Sequence, residues 1–98
     1  MDLAELTKEM HRFVEAMGWY SPGSPRPQTP RNLAISLAVE AAEVLEIFQW
    51  DERPVDSSAL ADELADTALY LLQLASLSHI DLEQAVRDKL RTNYGRSW

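Results

Sequence analysis

The sequence contains no cysteine, which excludes disulfide bonds, zinc–thiolate sites and catalysis by a thiol. It also lacks any apolar run near the ~18 residues that a membrane-spanning helix requires. Its first residues, MDLAELTKEMHRF, mix acidic, basic and apolar side chains, a pattern unlike that of a signal peptide. We therefore expect a cytoplasmic protein that does not contact a membrane.

Basic residues are scarce. Nine Lys and Arg residues stand against 16 Asp and Glu, so the formal net charge is −7. Proteins that bind nucleic-acid polymers neutralise phosphates with Lys and Arg, so we do not expect a polymer partner. A small phosphorylated ligand stays open, because a bound metal ion can supply the positive charge that the chain lacks.

The apolar residues predict an all-α fold. With 98 residues and a hydrophobic fraction of 46%, the chain suits one domain spanning residues 1–98. No segment favours a strand, and apolar residues recur at intervals of three and four. The pattern predicts a four-helix unit with helices over about 2–17, 30–50, 57–78 and 82–94.

Capping residues define the helix ends. Thr29 with Pro30 starts the second helix, Asp56 or Ser57 starts the third after the breaker Pro54, and Asp81 starts the fourth. Gln84 completes a predicted capping box, and Gly18 and Gly95 are expected to stop the first and fourth helices. The long loop before Thr29, which we call the Pro-rich loop after its Pro- and Gly-rich residues 21–27, favours a binding or lid role.

Apolar stripes predict the core. The expected core positions are Leu33, Leu37, Ala41, Val44 and Phe48 on the second helix, Leu60, Leu64, Ala68, Leu71, Leu72 and Ala75 on the third, and Leu82, Val86 and Leu90 on the fourth. Ile35, Val39 and Ile47 add apolar surface elsewhere on the second helix. A helix that is apolar around most of its circumference is buried on several sides, so we expect a homodimer or homotetramer.

Two acidic pairs are the most informative feature. Glu40 and Glu43 lie on the second helix, and Glu63 and Asp66 lie on the third. Each pair spans about 60° of helix circumference beside an apolar stripe, so the four acids converge if the helices pack together. Two like charges 4 Å apart repel by roughly 4 kcal/mol near a surface, which favours a bound divalent cation. Hard oxygen ligands suit Mg²⁺, or alternatively Mn²⁺.

Two other interpretations of the acids exist. They can be solvated charges beside the core, which is how we interpret Glu46 and Asp62. A di-iron bundle is disfavoured because it needs Glu-x-x-His pairs. His11 and His79 do not provide them and are expected to be packing or surface residues.

The stretch from Pro30-Arg31-Asn32-Leu33 through Glu40, Glu43 and Phe48-Gln49-Trp50 to Asp62-Glu63-Leu64-Ala65-Asp66 and Tyr70 resembles the MazG-like all-α nucleoside triphosphate pyrophosphohydrolases. Within that superfamily it is most similar to the dCTP pyrophosphatase branch. The resemblance covers nearly the whole chain, most firmly from Thr29 to Asn93.

The resemblance implies an activity. Such enzymes hydrolyse a nucleoside triphosphate to the monophosphate and pyrophosphate, here a pyrimidine deoxynucleotide such as dCTP or a modified form, and so clear the nucleotide pool. It implies that Glu40, Glu43, Glu63 and Asp66 are the catalytic residues and hold Mg²⁺. A metal ion in that position bridges phosphate oxygens and activates the attacking water.

The resemblance also implies substrate-binding residues. Lys89 and Asn93 match a Lys-x-x-x-Asn that contacts phosphate and nucleotide, and Asn32 lies in the matching stretch. Trp50 and Tyr70 are candidates for stacking on the base, with core packing as the alternative. Trp19 and Trp98 are weaker candidates.

The sequence departs from the pattern of the family that it resembles at two places. The close branch often has His-Gln-Pro-Arg-Asn before the second helix, whereas here the residues are Gln28-Thr29-Pro30-Arg31-Asn32. Val39 precedes Glu40, where other branches carry an acid. Two rival functions remain open: a phosphoribosyl-ATP-type pyrophosphohydrolase, and a non-catalytic helical interaction module.

Overall fold

The computed structural model describes residues 1–53 and 56–98, so the predicted breaker Pro54 lies outside the described residues. Within these ranges the chain forms four helices and no strand. The helices are α1 (Leu3–Ala16), α2 (Pro30–Ile47), α3 (Ser57–Leu77) and α4 (Leu82–Tyr94). The all-α fold class is confirmed.

Side-chain caps start all four helices. Asp2, Thr29, Asp56 and Asp81 each accept a hydrogen bond from a backbone N–H of the first turn, which satisfies a donor that has no partner within the helix. The predicted capping box of α4 is only half formed. Asp81 accepts from the amide of Gln84, but the Gln84 side chain donates to Asp88 instead.

The helix ends agree with the sequence except in α2. Gly18 has φ 75° just after α1, and Gly95 caps α4. Helix α2 ends at Ile47, three residues before the predicted end, because the backbone N–H groups that follow donate to carbonyls three residues earlier. Phe48 N–H donates to Leu45 O and Gln49 N–H donates to Glu46 O, which tightens the chain into a turn. The predicted continuation of α2 to Trp50 is wrong.

The α2–α3 interface is the main contact of the fold. Helix α1 packs on α3 beside it, and α4 makes only a small contact with α3. The buried apolar side chains are Met10, Val14, Leu33, Leu72 and Ala75. These five join α1, α2 and α3 into one core, from which α4 is largely excluded.

Several predicted core residues lie at the surface. Ala41, Leu64, Ala68, Leu71, Val86 and Leu90 are exposed. Within residues 1–53 and 56–98 no element covers the side of α3 that carries Leu64 and Leu71. Their assignment to the core of a single chain is therefore wrong. Among the described helices, none is long and apolar enough to cross a membrane.

Helix α4 should depend strongly on its cap. Because it makes few tertiary contacts, Asp81→Ala should reduce stability by about 1 kcal/mol, seen as loss of helical circular dichroism and faster amide exchange in α4. Asp81→Asn is the matched control, since Asn caps as well as Asp. If both variants lost the same stability, the negative charge of Asp81 and not its capping hydrogen bond would stabilise α4.

Candidate functional site

The packing of α2 on α3 brings three carboxylates together. One oxygen from each of Glu40, Glu43 and Glu63 lies within 4.8 Å of the other two, and we call these residues the acid cluster. The i,i+3 spacing puts Glu40 and Glu43 on one face of α2, and that face meets α3 at Glu63. The predicted convergence of acids from two helices is thus present in the structure.

Asp66 lies beside the acid cluster without joining it. The Asp66 side chain is one methylene shorter than that of a glutamate, and the residue is exposed. Its charge nevertheless contributes to the electrostatics of both Glu40 and Glu63. The structure therefore brings together three of the four predicted ligands and leaves the fourth within electrostatic reach.

Two oxygens of the acid cluster are buried without a partner. Among the described residues, Oε2 of Glu40 and Oε2 of Glu63 have no hydrogen-bond donor. The ion pairs formed by the described residues lie on α1 and α4, at Arg12–Glu9, Arg87–Glu83 and Arg91–Asp88. A buried acceptor without a donor is costly, so these oxygens suit a ligand that supplies positive charge.

The protonation of the cluster reflects this crowding. Burial, followed by the adjacent carboxylates of Glu43 and Glu63, raises the pKa of Glu40 from 4.5 to about 7. The adjacent carboxylate of Glu43 is the main cause that raises the pKa of Glu63. The protein thus partly relieves the repulsion by retaining protons.

The donor set fits a hard divalent cation. All three groups offer carboxylate oxygens, which Mg²⁺ and Mn²⁺ prefer, and the unpartnered oxygens of Glu40 and Glu63 point to a missing positive partner. Glu40, Glu43 and Glu63 are the residues that would hold such an ion.

The acid cluster separates two cavities of different character. An open cleft of about 550 Å³, which we call the acidic cleft, is lined by Glu43, Glu46, Ile47, Ala59, Asp62 and Glu63. A more enclosed space of about 250 Å³, the apolar cavity, is lined by Met10, Phe13, Val14, Trp19, Gln28, Glu40, Asp66, Leu69, Tyr70 and Gln73. Charged groups can therefore approach from one side and an apolar ring from the other.

A third cavity adjoins the apolar one. This outer cavity of about 320 Å³ shares Trp19, Gln28 and Tyr70 with it, and Asn32 lies on its wall. The Asn32 side chain donates to Pro27 O at 2.9 Å, so this amide also fixes the end of the Pro-rich loop. Tyr70 thus borders both of these cavities, and Asn32 borders the outer one.

Three predicted substrate-binding residues lie elsewhere. Trp50 is 90% exposed in the turn after α2, so core packing within one chain is wrong for this residue. Lys89 and Asn93 lie on α4, and neither lines the acidic cleft or the apolar cavity. Helix α4 makes only a small contact with α3 within one chain.

The sequence patterns gave little or no indication that three residues border the cavities. Trp19 was a weak candidate, yet it lines both the apolar and outer cavities, packs edge-on against Phe13 and lies under the Arg26 guanidinium at 5.3 Å. Gln28 and Gln73 also line the apolar cavity. The signal for Gln73 was a lone amide in the apolar run Leu71-Leu72-Gln73-Leu74-Ala75.

The histidines behave as predicted. His11 is half-buried, packs against Tyr20 and hydrogen-bonds to two hydroxyls, and His79 is exposed in the turn between α3 and α4. Neither belongs to the acid cluster.

The family pattern described as MazG-like matches residues 35–96, well over half of the chain. The chain belongs to the MazG-like family. The matched segment contains the whole acid cluster and Asp66, while the Pro-rich loop and its cavity residues precede it. The predicted resemblance, including its dCTP pyrophosphatase branch, is confirmed.

Curated relatives of this MazG-like chain carry the name dCTP pyrophosphatase 1. The Mus musculus protein is 41% identical over 76 residues, covering 68% of this chain and 45% of the relative. The Homo sapiens protein is 37% identical over the same coverage. The chain therefore spans about half the length of the curated relatives that it matches.

A solved structure has the same fold. A pyrophosphatase from Archaeoglobus fulgidus is 34% identical, with a TM-score of 0.76 over 92% of this chain and 86% of that one. The correspondence extends over nearly all of both chains, so the arrangement of helices described above is that of the MazG-like fold.

The stability of the metal-free protein should fall as pH rises. Folding raises the pKa of Glu40 from 4.5 to about 7, so the folded state binds this proton more tightly than the unfolded chain. The associated stability is complete below pH 4.5 and is lost as the pH rises through 7. Thermal melts in chelator should show a midpoint several degrees lower at pH 8 than at pH 5.

Two variants test the origin of this slope. Glu40→Gln removes the charge and should flatten the pH dependence, whereas Glu46→Gln, an exposed change on the same helix, should leave it intact. A slope that is unchanged in Glu40→Gln would contradict the assignment.

Proposed function

We propose that this protein is a Mg²⁺-dependent pyrophosphohydrolase that converts a nucleoside triphosphate to the monophosphate and pyrophosphate. The observation that carries the proposal is the acid cluster, with three carboxylate oxygens within 4.8 Å and two of its buried oxygens unpartnered. The substrate would be a pyrimidine deoxynucleotide, such as dCTP or a modified form, in a cytoplasmic role of nucleotide-pool clearing.

The names of the similar proteins support this proposal. The mammalian proteins are called dCTP pyrophosphatase 1, and the Archaeoglobus protein is called a pyrophosphatase. Neither name refers to phosphoribosyl-ATP.

The acids would act as a unit. Glu40, Glu43 and Glu63 would hold the cation, and Asp66 would add negative charge from the next turn of α3. When bound, the ion supplies electrostatic stabilisation of the phosphates and lowers the pKa of an attacking water. The deprotonated carboxylates are the ligand form, so a cation would compete with the proton on Glu40, whose pKa is raised to about 7.

The two cavities give the substrate an orientation. The acidic cleft would take the polyphosphate beside Glu43 and Glu63, and the apolar cavity would take the base between Trp19 and Tyr70. Stacking on an aromatic ring stabilises a bound base by about 1–3 kcal/mol. The polar and apolar ends of a nucleotide thus match the two sides of the acid cluster.

We also propose that the chain assembles into a homodimer or homotetramer. Ile35 and Val39 on α2 and Leu64 and Leu71 on α3 are each 42–51% exposed, and they leave apolar surface on both central helices. Exposed apolar patches of this kind mark interaction surfaces. Assembly would also give Trp50, Lys89 and Asn93 a route to the substrate, since none of them lines the acidic cleft or the apolar cavity of one chain.

Assembly is measurable by sedimentation velocity. Leu64→Glu should sediment with a lower apparent mass than the wild-type oligomer, because it places a charge in the interface. Ser21→Glu, on an exposed loop residue, adds the same charge and should have no effect. A wild-type chain that sediments as a monomer at all concentrations would contradict the proposal.

Activity is tested by pyrophosphate release across deoxynucleoside and ribonucleoside triphosphates and phosphoribosyl-ATP, with and without Mg²⁺. Glu63→Gln should fold normally, because it is nearly isosteric and relieves repulsion, yet it should lose about 100-fold or more of the activity. It should also reduce the rise in melting temperature on adding Mg²⁺. At 100 times the dissociation constant that rise corresponds to about 2.7 kcal/mol in the wild type.

The same melts separate an enzyme from an interaction module. Glu46→Gln is the control and should keep the wild-type rise in melting temperature with Mg²⁺, because Glu46 lines the acidic cleft outside the acid cluster. A wild-type protein that Mg²⁺ does not stabilise and that releases no pyrophosphate would support the helical interaction module.

A further inference from the structure

A chain of hydrogen bonds runs behind the apolar cavity and joins α1, the Pro-rich loop and α3. Its contacts are Ser76 Oγ to His11 Nε2 at 2.7 Å, His11 Nδ1 to Tyr20 Oη at 2.6 Å, Gln73 Nε2 to Tyr20 Oη at 3.2 Å and Gln73 Nε2 to Gln28 Oε1 at 2.8 Å. We call these contacts the hydrogen-bond relay. It ends at Gln28 and Gln73, which both line the apolar cavity.

The hydrogen-bond relay includes a buried polar side chain, whose burial lowers stability unless it is hydrogen-bonded. Gln73 is only 3% exposed, and burying an amide without hydrogen bonds is unfavourable. Burial also raises the pKa of Tyr20, so its hydroxyl keeps its proton and remains a donor. A buried network of this kind fixes side-chain positions strongly when its members are satisfied.

A backbone carbonyl sets the direction of the relay. Gln28 Nε2 donates to Arg26 O at 2.8 Å, and a carbonyl can only accept, so Oε1 of Gln28 must face Gln73. Gln73 then uses its two N–H groups on Gln28 and Tyr20. The Tyr20 proton goes to Nδ1 of His11, which leaves the His11 proton on Nε2 for Ser76.

The count of donors and acceptors leaves two groups for a ligand. Within the described hydrogen bonds, Gln73 retains its carbonyl oxygen, an acceptor, and Gln28 retains one N–H donor. These amides line the same cavity as Trp19 and Tyr70. A flat ring between the aromatic side chains would therefore meet an acceptor and a donor of fixed orientation.

We propose that Gln28 and Gln73, the amide pair, determine base specificity by favouring an amino-pyrimidine over an oxo-pyrimidine. This inference rests on the proposed function, because it takes the ligand to be a nucleotide. Gln73 Oε1 accepts from the exocyclic amino group of a cytosine-type base, and Gln28 Nε2 donates to the adjacent ring nitrogen. A uracil-type base would bring its own carbonyl oxygen against Gln73 Oε1. Tyr20, His11 and Ser76 are positioning residues that act through the pair.

Binding of dCMP and dUMP, measured by titration calorimetry, tests the amide pair. The two ligands share the sugar and phosphate, so their dissociation constants differ only through the base. Wild-type protein should bind dCMP at least about 10-fold more tightly, a factor that one well-placed hydrogen bond supplies. Gln28→Met and Gln73→Met should each bring this ratio close to one, chiefly by weakening dCMP.

Matched variants separate reading of the base from general damage. Gln84→Met, on α4 outside the cavity, should keep the wild-type ratio. The double variant Gln28→Met/Gln73→Met should lose no more than either single variant, because the two amides act together. If Gln73→Met fails to fold, the ratio of the two dissociation constants in Gln28→Met, which changes a loop residue, tests the inference alone.

The positioning role has its own test. Ser76→Ala removes the last contact of the relay and should reduce the dCMP preference, whereas Ser76→Thr keeps the hydroxyl and should restore it. Mg²⁺ affinity should be unchanged in both variants, since the acid cluster is not altered. A purely structural role for Ser76 would leave the ratio of the two dissociation constants unaffected.

Failure of this inference is distinguishable from failure of the proposed function, because monophosphate binding needs no hydrolysis. A dCMP preference that depends on the amide pair in a protein without hydrolase activity supports the inference and ends the enzyme proposal. An active enzyme whose base ratio survives Gln28→Met overturns the inference. So does a wild-type protein that prefers dUMP or binds neither nucleotide.

Discussion

The structure depends on one constraint: the packing of α2 on α3 keeps like-charged carboxylates within 4.8 Å of one another. The energy for this comes from the apolar contacts around Leu33 and Leu72, since the acids themselves repel. Burial and the neighbouring carboxylates raise the pKa of Glu40 to about 7, and a proton on Glu40 relieves part of the repulsion. The same arrangement leaves Oε2 of Glu40 and Oε2 of Glu63 buried without a donor among the described residues, so the site suits a positive partner.

The acid cluster also divides the surroundings of the site. The acidic cleft on one side is open and polar, and the apolar cavity on the other is enclosed by aromatic and aliphatic side chains. The residues that line the acidic cleft come from α2 and α3, while those that line the apolar cavity come largely from α1, α3 and the Pro-rich loop. The loop is not a loose lid, because Tyr20, Gln28 and the Asn32–Pro27 contact fasten it to the helices.

Much of this was predictable from short-range sequence patterns. Helix existence, the caps at Thr29, Asp56 and Asp81, and the convergence of Glu40, Glu43 and Glu63 all follow from helical periodicity and capping chemistry. Periodicity cannot show which of several apolar faces is covered, so Leu64 and Leu71 were assigned to a core that one chain does not provide. The relay from Ser76 to Gln28 was not predictable, because its members are up to 65 residues apart and no periodic pattern connects them.

The direction of the hydrogen-bond relay originates at the main-chain oxygen of residue 26, which no amino-acid replacement at that position removes. Substitution of the Arg26 side chain should therefore not change which end of the Gln28 amide donates and which accepts. In the proposed function, base selectivity and cation binding have separate determinants, because the amide pair and the acid cluster share no residue. Descendants of this sequence could acquire a new ligand preference through one or two changes while inheriting their carboxylates intact.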